Sequence, residues 1–216
     1  MSASPAKLSN RRGRPRDIKP EQLTEAALAL FLERGFAGTR MEDVARRAGV
    51  SKGAIYLYFA TKEDLFRAVI RAGILPRIEQ AEAALADFSG SARELLSSLL
   101  HGLLLEFWGS PSSGIPKLII AEAPQFPGLA RDYFRDVSLR ARQLMQDILQ
   151  RGIDSGEFRP MDAAYAARSI LAALDQQTVL QHSLAVYDPD PLVPERYIDA
   201  VLDLSMHGML APAAKD

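Results

Sequence analysis

Three residue groups in the first third of the chain have types and spacings suited to chemistry with a polyanion. Arg12-Gly13-Arg14-Pro15-Arg16 is an extended basic segment, resembling an AT-hook core, of the kind that slips into a narrow A·T minor groove where negative potential draws arginine. Ala45, Gly49 and Ile55 supply a small residue for a helix crossing, a turn glycine and an apolar anchor, separated by four and six residues. That is the spacing of a helix-turn-helix, with Val44, Ala48, Val50 and Tyr58 in the flanking apolar positions. Lys52, Gly53 and Ala54 then open the second helix, the end that enters a major groove.

Helix starts around this segment give the same rhythm. Thr39-Arg40-Met41-Glu42 reads as a capping box, Ser51 as the cap of a second helix over 52–59, and Thr61 with Asp64 as the cap of a third. Gly49 suits the left-handed turn between the first two. Upstream, Pro20 to Arg34 reads as a helix ended by Gly35, with Leu23, Ala27, Leu30 and Phe31 on its buried face and Ile18 stapled to Leu23.

Charge separates along the chain in the same sense. Residues 1–72 hold 14 Lys and Arg against 8 Asp and Glu, whereas residues 73–216 hold 12 against 19. A basic part facing a polyanion and an acidic part that avoids it are implied. The absence of Cys excludes disulfides, thiolate zinc sites and a Cys nucleophile. No apolar run approaches the roughly 18 residues of a membrane span, and the N-terminus lacks the apolar stretch of a secretion signal, so a cytoplasmic protein is expected.

Proline placement gives the architecture. Pro is absent from 21–75, 77–110, 128–159, 161–188 and 195–211, and Ala and Leu total 61 residues against 24 for Val, Ile and Thr. Helices joined at Pro-rich connections follow, and the chain reads as all-α with about nine helices. Later helices are expected near 62–75, 77–87, 91–108, 115–123, 128–154, 162–186 and 194–210, with linkers at 109–114 and 187–194 and Pro76 ending or kinking the helix from Lys62. The expected domains are a disordered basic arm (1–17), a DNA-reading domain (18–66) and a helical body (67–216).

The run Gly35-Phe36, Thr39 to Ala45, Ala48 to Gly53, Ile55-Tyr56, Tyr58-Phe59 and Lys62 to Phe66 resembles the TetR family of bacterial transcriptional regulators over about residues 17–70. Ala54 departs from the Thr carried by many relatives, which removes a hydroxyl that can reach phosphate or a base edge. On this reading Lys52 reads a base edge such as guanine O6 or N7, Gly53 permits close backbone approach, and Ala54 touches a thymine methyl. The resemblance places Tyr56 and Tyr58 on phosphates through their hydroxyls, although the Tyr58 ring serves equally well as core. Lys62, and Thr39 with Arg40, sit at helix starts where phosphate contacts are aided by terminal amides, and Ser51 belongs to the same set. Arg12 and Arg14 supply the arm's contacts.

The body carries no recognisable catalytic arrangement. Its three histidines, His101, His182 and His207, are scattered, and no metal or cofactor site is expected. Leu104, Phe107, Trp108, Phe126, Tyr133 and Phe134, with Gln176 and Gln177 as polar groups, are expected to line an effector pocket, although core packing explains the same residues almost as well. The helices near 162–186 and 194–210 show more apolar surface than one core needs: Ile198, Val201, Leu202 and Met209 make one face, while Tyr197, Leu204 and Met206 point elsewhere. The resemblance implies a two-fold dimer through these helices, facing a palindromic DNA operator. The expectation is thus a ligand-released repressor; a DNA-organising or cell-division factor with the same reader would lack the pocket.

Overall fold

A computed structural model describes residues 19–210. The basic arm with Arg12 and Arg14, and the Ile18 staple, lie outside the described residues. The elements are α1 (Pro20–Gly38), α2 (Met41–Arg47), α3 (Lys52–Ile55), α4 (Lys62–Gly73), α5 (Leu75–Asp87), α6 (Ala92–Leu99), α7 (Leu105–Trp108), α8 (Ile115–Glu122), α9 (Pro127–Tyr133), α10 (Leu139–Asp154), α11 (Ala163–Gln181) and α12 (Pro194–Met209). Among the described residues there is no strand, only an isolated bridge between Phe158 and Leu210. The architecture is all-α, as composition required.

Local chemistry sets most boundaries. Pro20 occupies the first turn of α1, and Gly35 breaks that helix with φ 76°, a left-handed backbone that favours glycine. Ser51 accepts from the Ala54 amide at 3.2 Å and Thr61 from the Asp64 amide at 3.0 Å, so both expected caps form. Thr39 does not cap α2. Arg40 takes the cap position without a side-chain bond, while the Thr39 hydroxyl turns inward to the carbonyls of Leu30 at 3.2 Å and Gly35 at 2.9 Å. Ser91 and Glu94 form a full capping box on α6, and Pro76 lies in the first turn of α5, where the chain bends at Ile74.

Packing gives two cores. The first gathers Leu23, Leu30, Phe31, Phe36, Val44, Ile55, Leu65 and Phe66 with Ile115, Leu118 and Leu129 from the body. Helix α1 is therefore buried on two sides: Ala26 and Leu28 are covered as well as the expected stripe. The second core joins α6, α10, α11 and α12 through Leu95, Leu96, Ile148, Leu149, Ala167 and Ile198. On α12 the buried set is Ile198, Leu202, Met206 and Met209, so Met206 belongs to the core face, against expectation; Tyr197 is half-buried and donates to the Ala173 carbonyl at 3.0 Å. Leu204 stays exposed.

The segment 109–114 is no linker. Pro111–Gly114 forms a tight 3₁₀ turn whose Ser112, Ser113 and Gly114 are buried. The Ser113 hydroxyl donates to the Ser110 carbonyl at 2.7 Å and lies 2.7 Å from Nε2 of His182. A Cβ on Gly114 would lie 2.3 Å from Leu32 of α1, and one on Gly73 would lie 2.6 Å from the Ser112 hydroxyl. Small residues permit close approach of this turn to α1 and to the end of α4, and the Ser113 hydroxyl is satisfied by internal hydrogen bonds.

A pH-dependent tie joins α12 to the π-helical turn Leu100–Leu104 that connects α6 and α7. His101 Nε2 lies 2.8 Å from the Asp199 carboxylate, and that hydrogen bond, with help from the Ser97 carbonyl, raises the imidazole pKa. A raised folded pKa contributes stability fully below the ordinary histidine value, and the contribution fades as pH rises through the shifted one. Chemical denaturation of parent and His101→Gln should therefore differ more at pH 5.5 than at pH 8.5; a constant difference would exclude the ion pair.

Candidate nucleic-acid interface and effector cavity

The small residue at position 45 lets α2 and α3 close on one another. Ala45 and Val44 are buried, Gly49 turns the chain with φ 70°, and the Val50 amide donates to the Ala45 carbonyl at 2.9 Å. Ile55 anchors α3 in the core at 0% exposure. The regular helix stops at Ile55 and not at Phe59. Beyond it the Leu57 amide donates to Ala54 and the Tyr58 amide to Ile55 in i→i+3 bonds, while the Phe59 amide also reaches Ile55 at 3.0 Å and its ring packs against the core.

Ser51, Lys52, Gly53, Tyr56 and Tyr58 lie exposed on one end of this unit, with Ala54 partly covered, and Arg40 is exposed beside them. Lys52 holds the Glu42 carboxylate at 2.8 Å, and that hydrogen bond raises the lysine pKa and lowers the glutamate's. A base edge would have to displace Glu42. Leu57, missed by sequence reasoning, is 85% exposed between the two tyrosines; its only signal was an apolar residue out of phase with Ile55.

Thr39 and Lys62 have other work. Thr39 is 1% exposed. The Lys62 ammonium donates to the carbonyls of Phe36 at 2.7 Å, Ala37 at 3.3 Å and Thr39 at 3.0 Å, and rests 4.4 Å over the Phe36 ring. All three of its protons are thus directed at the connection between α1 and α2, and partial burial lowers its pKa. Both residues were expected on phosphates. In the structure Thr39 is buried and Lys62 is half-buried, with its ammonium on the carbonyls that lead into α2.

A cavity of ≈ 210 Å³ opens between α5, α6, α7, α10 and α11. Leu104, Phe107 and Tyr133 line it as expected. The other expected residues do not, and helical phase explains why. Along α11 the lining positions are Leu171, Leu174, Asp175 and Thr178, so Gln176 and Gln177 face elsewhere. Trp108, one residue past Phe107, turns into the core and donates to Thr178 at 2.7 Å. Phe134 is exposed with Arg142 over its ring at 5.5 Å, and Phe126 packs edge-on against Phe36 at 4.9 Å.

The cavity wall is apolar except for a few groups. Asp175 is exposed, yet the apolar wall beside it raises its pKa by desolvation, and Arg142 opposes the rise. Burial raises the Tyr133 pKa as well, reinforced by Asp175. Arg77 donates to the Gly73 carbonyl at 2.7 Å, yet its Nε is buried without a partner among the described residues. Both π-helical turns, Leu100–Leu104 and Phe134–Ser138, contribute lining residues, as such turns often do at binding sites. A second, polar cleft of ≈ 190 Å³ lies beside it, where Arg67 of α4 donates to Asp132 of α9 at 2.9 Å.

A helix-turn-helix reader fused to a helical body defines a DNA-binding transcription regulator. Residues 23–69 match the family of bacterial regulatory proteins, tetR family, and residues 94–211 match the AefR-like transcriptional repressor C-terminal domain. The chain belongs to the TetR family. It is 31% identical to the HTH-type transcriptional regulator YfiR of Bacillus subtilis over 68% of this chain and 71% of that one. Identity to the HTH-type transcriptional repressor KstR2 of Mycobacterium tuberculosis is 30%, over 64% and 68%. The crystal structure of the transcriptional regulator FadR from Bacillus subtilis in complex with stearoyl-CoA shares the fold with a TM-score of 0.70 at 23% identity, covering 88% of this chain and 99% of that one.

Proposed function

We propose that the protein is a homodimeric repressor that binds a palindromic operator in the cytoplasm and is released by a small-molecule effector held in the apolar cavity. One observation carries the reading. Ile74, Arg77 and Ile78, which line the cavity, directly follow α4, the helix that Lys62 braces to the reader. An effector that prefers a cavity shape with α5 displaced shifts α4, and lowers operator affinity by its differential affinity for the two shapes. The stearoyl-CoA in the FadR complex carries a long apolar acyl chain, and that part of a ligand suits an apolar wall.

Exposed Tyr165 on α11 and Leu204 on α12 support pairing of those helices with a second copy. Arg40, Ser51, Lys52, Gly53, Ala54, Tyr56 and Tyr58 are proposed as the DNA-facing set, joined by Leu57; Arg12 and Arg14 are proposed to add minor-groove contacts. Selection of bound fragments from random duplex DNA should return a two-fold symmetric site. Lys52→Ala should then relax preference at one position per half-site at a cost of ~1–3 kcal/mol. Equal binding of selected and random DNA by the parent would refute the proposal.

A further inference from the structure

Burial along the end of the reader fixes which side of it is left for a partner. Ile55 is fully buried, and Phe59, four residues on, packs against the same core. Leu57 lies two residues from each, about half a turn round the helix, and points the other way, 85% exposed. Gly53, four residues before Leu57, is exposed as well, and a Cβ on it would meet nothing within 4 Å, so open ground lies beside the leucine. Tyr56 and Tyr58, each 43% exposed, flank it with polar tips. A single exposed leucine is ordinary on a protein surface. This one stands opposite the core of a helix-turn-helix, at the end of the element that carries Lys52 and Gly53.

The edges that base pairs present in a major groove are donors and acceptors, apart from the C5-methyl of thymine. A leucine laid against a guanine O6 or a cytosine amine would strip water from a polar edge with nothing in exchange, and a phosphate is excluded for the same reason. Laid against the methyl, it withdraws apolar surface on both sides from water. Ala54, whose type suggested this contact, is partly covered and its side chain ends at Cβ. Lys52 must leave Glu42 before it reaches a base, whereas Leu57 stands in solvent and meets a methyl group as it is. We infer, on the DNA-facing reading proposed above, that Leu57 is the thymine-specifying residue of the reader, laying its isobutyl group on one C5-methyl in each half-site. Cytosine methylated at C5 presents the same group in the same place, so the contact also discriminates methylated from plain cytosine.

Thymine differs from uracil, and 5-methylcytosine from cytosine, by that methyl alone. In the operator selected from random duplex DNA, each thymine is replaced in turn by deoxyuridine, symmetrically in both half-sites, and binding of the full-length protein is followed by fluorescence anisotropy. One position should lose about fourfold per half-site, or about fifteenfold for the two together, the worth of withdrawing one methyl group from water. At that position 5-methylcytosine should bind more tightly than cytosine by a similar factor. Leu57→Ala should reduce both differences to under about twofold and keep the parent's melting temperature, because the side chain it shortens is exposed. Leu57→Met, which keeps the apolar reach, should retain them. An operator without thymine, a parent that tolerates deoxyuridine at every position, or a deoxyuridine loss that persists in Leu57→Ala would overturn the assignment and leave DNA reading intact. A parent that does not prefer the selected operator to random DNA would take down the DNA-reading proposal itself.

Discussion

Replacing Lys62 by methionine is expected to weaken binding to selected and random DNA alike without changing the slope of log affinity against log salt. The methionine keeps an apolar stem over Phe36 but removes three hydrogen bonds to the carbonyls of Phe36, Ala37 and Thr39. Hydrogen bonds from a charged donor are worth ~1.5–3 kcal/mol each when well formed, and this ammonium is partly solvated. A net loss of about 2 kcal/mol of unfolding free energy follows, or ~4–8 °C in melting temperature for a chain of this size. Had Lys62 served as a phosphate contact, its removal would reduce the magnitude of the salt slope by about one unit and leave stability nearly unchanged. The two measurements together decide the role, and a shallower slope with an unchanged melting temperature would reverse the assignment made here.

Phe36→Ala is expected to be the most damaging single truncation. Phe36 is fully buried and stands among three other rings, Phe31 at 5.3 Å, Phe66 at 5.1 Å and Phe126 at 4.9 Å, and it carries the Lys62 ammonium on its face. Emptying a site of this kind costs ~3–5 kcal/mol, since the surrounding helices cannot all close on the space. Because Phe66 lies in α4 and Phe126 just before α9, the loss reaches the contact between reader and body as well as the reader's own core. Thermal unfolding and operator affinity should both fall steeply, and Phe36→Leu should recover most of the difference. A loss under 1 kcal/mol for the alanine variant would mean that the cluster adds little beyond filling space.

The reader was written legibly in the chain. Ala45, Gly49 and Ile55 carry their roles by residue type, since a crossing needs a small side chain, a left-handed turn favours glycine and a short helix needs an apolar anchor. Caps at Ser51 and Thr61 are equally local, because donor and acceptor are three residues apart. Thr39 shows the limit of that logic. Its hydroxyl had a local option at the α2 start and a tertiary one at the Leu30 and Gly35 carbonyls, and burial of the segment selected the second. The cavity exposed the same limit, since bulky residue types alone cannot give the helical phase that turned Phe107 inward and Trp108 away.

From sequence alone came the all-helical architecture, the reader and its family, and the segregation of basic from acidic charge, all of which depend on residue type and short-range spacing. Tertiary structure alone decided that Lys62 braces a loop, that the apparent linker at 109–114 is a buried joint between reader and body, and that Asp175 faces the cavity in place of Gln176 and Gln177. Those outcomes turn on which groups meet across tens of residues. Polar side chains whose local options are nearly equal in energy are settled by whatever distant carbonyl, ring or empty space the packed helices bring beside them.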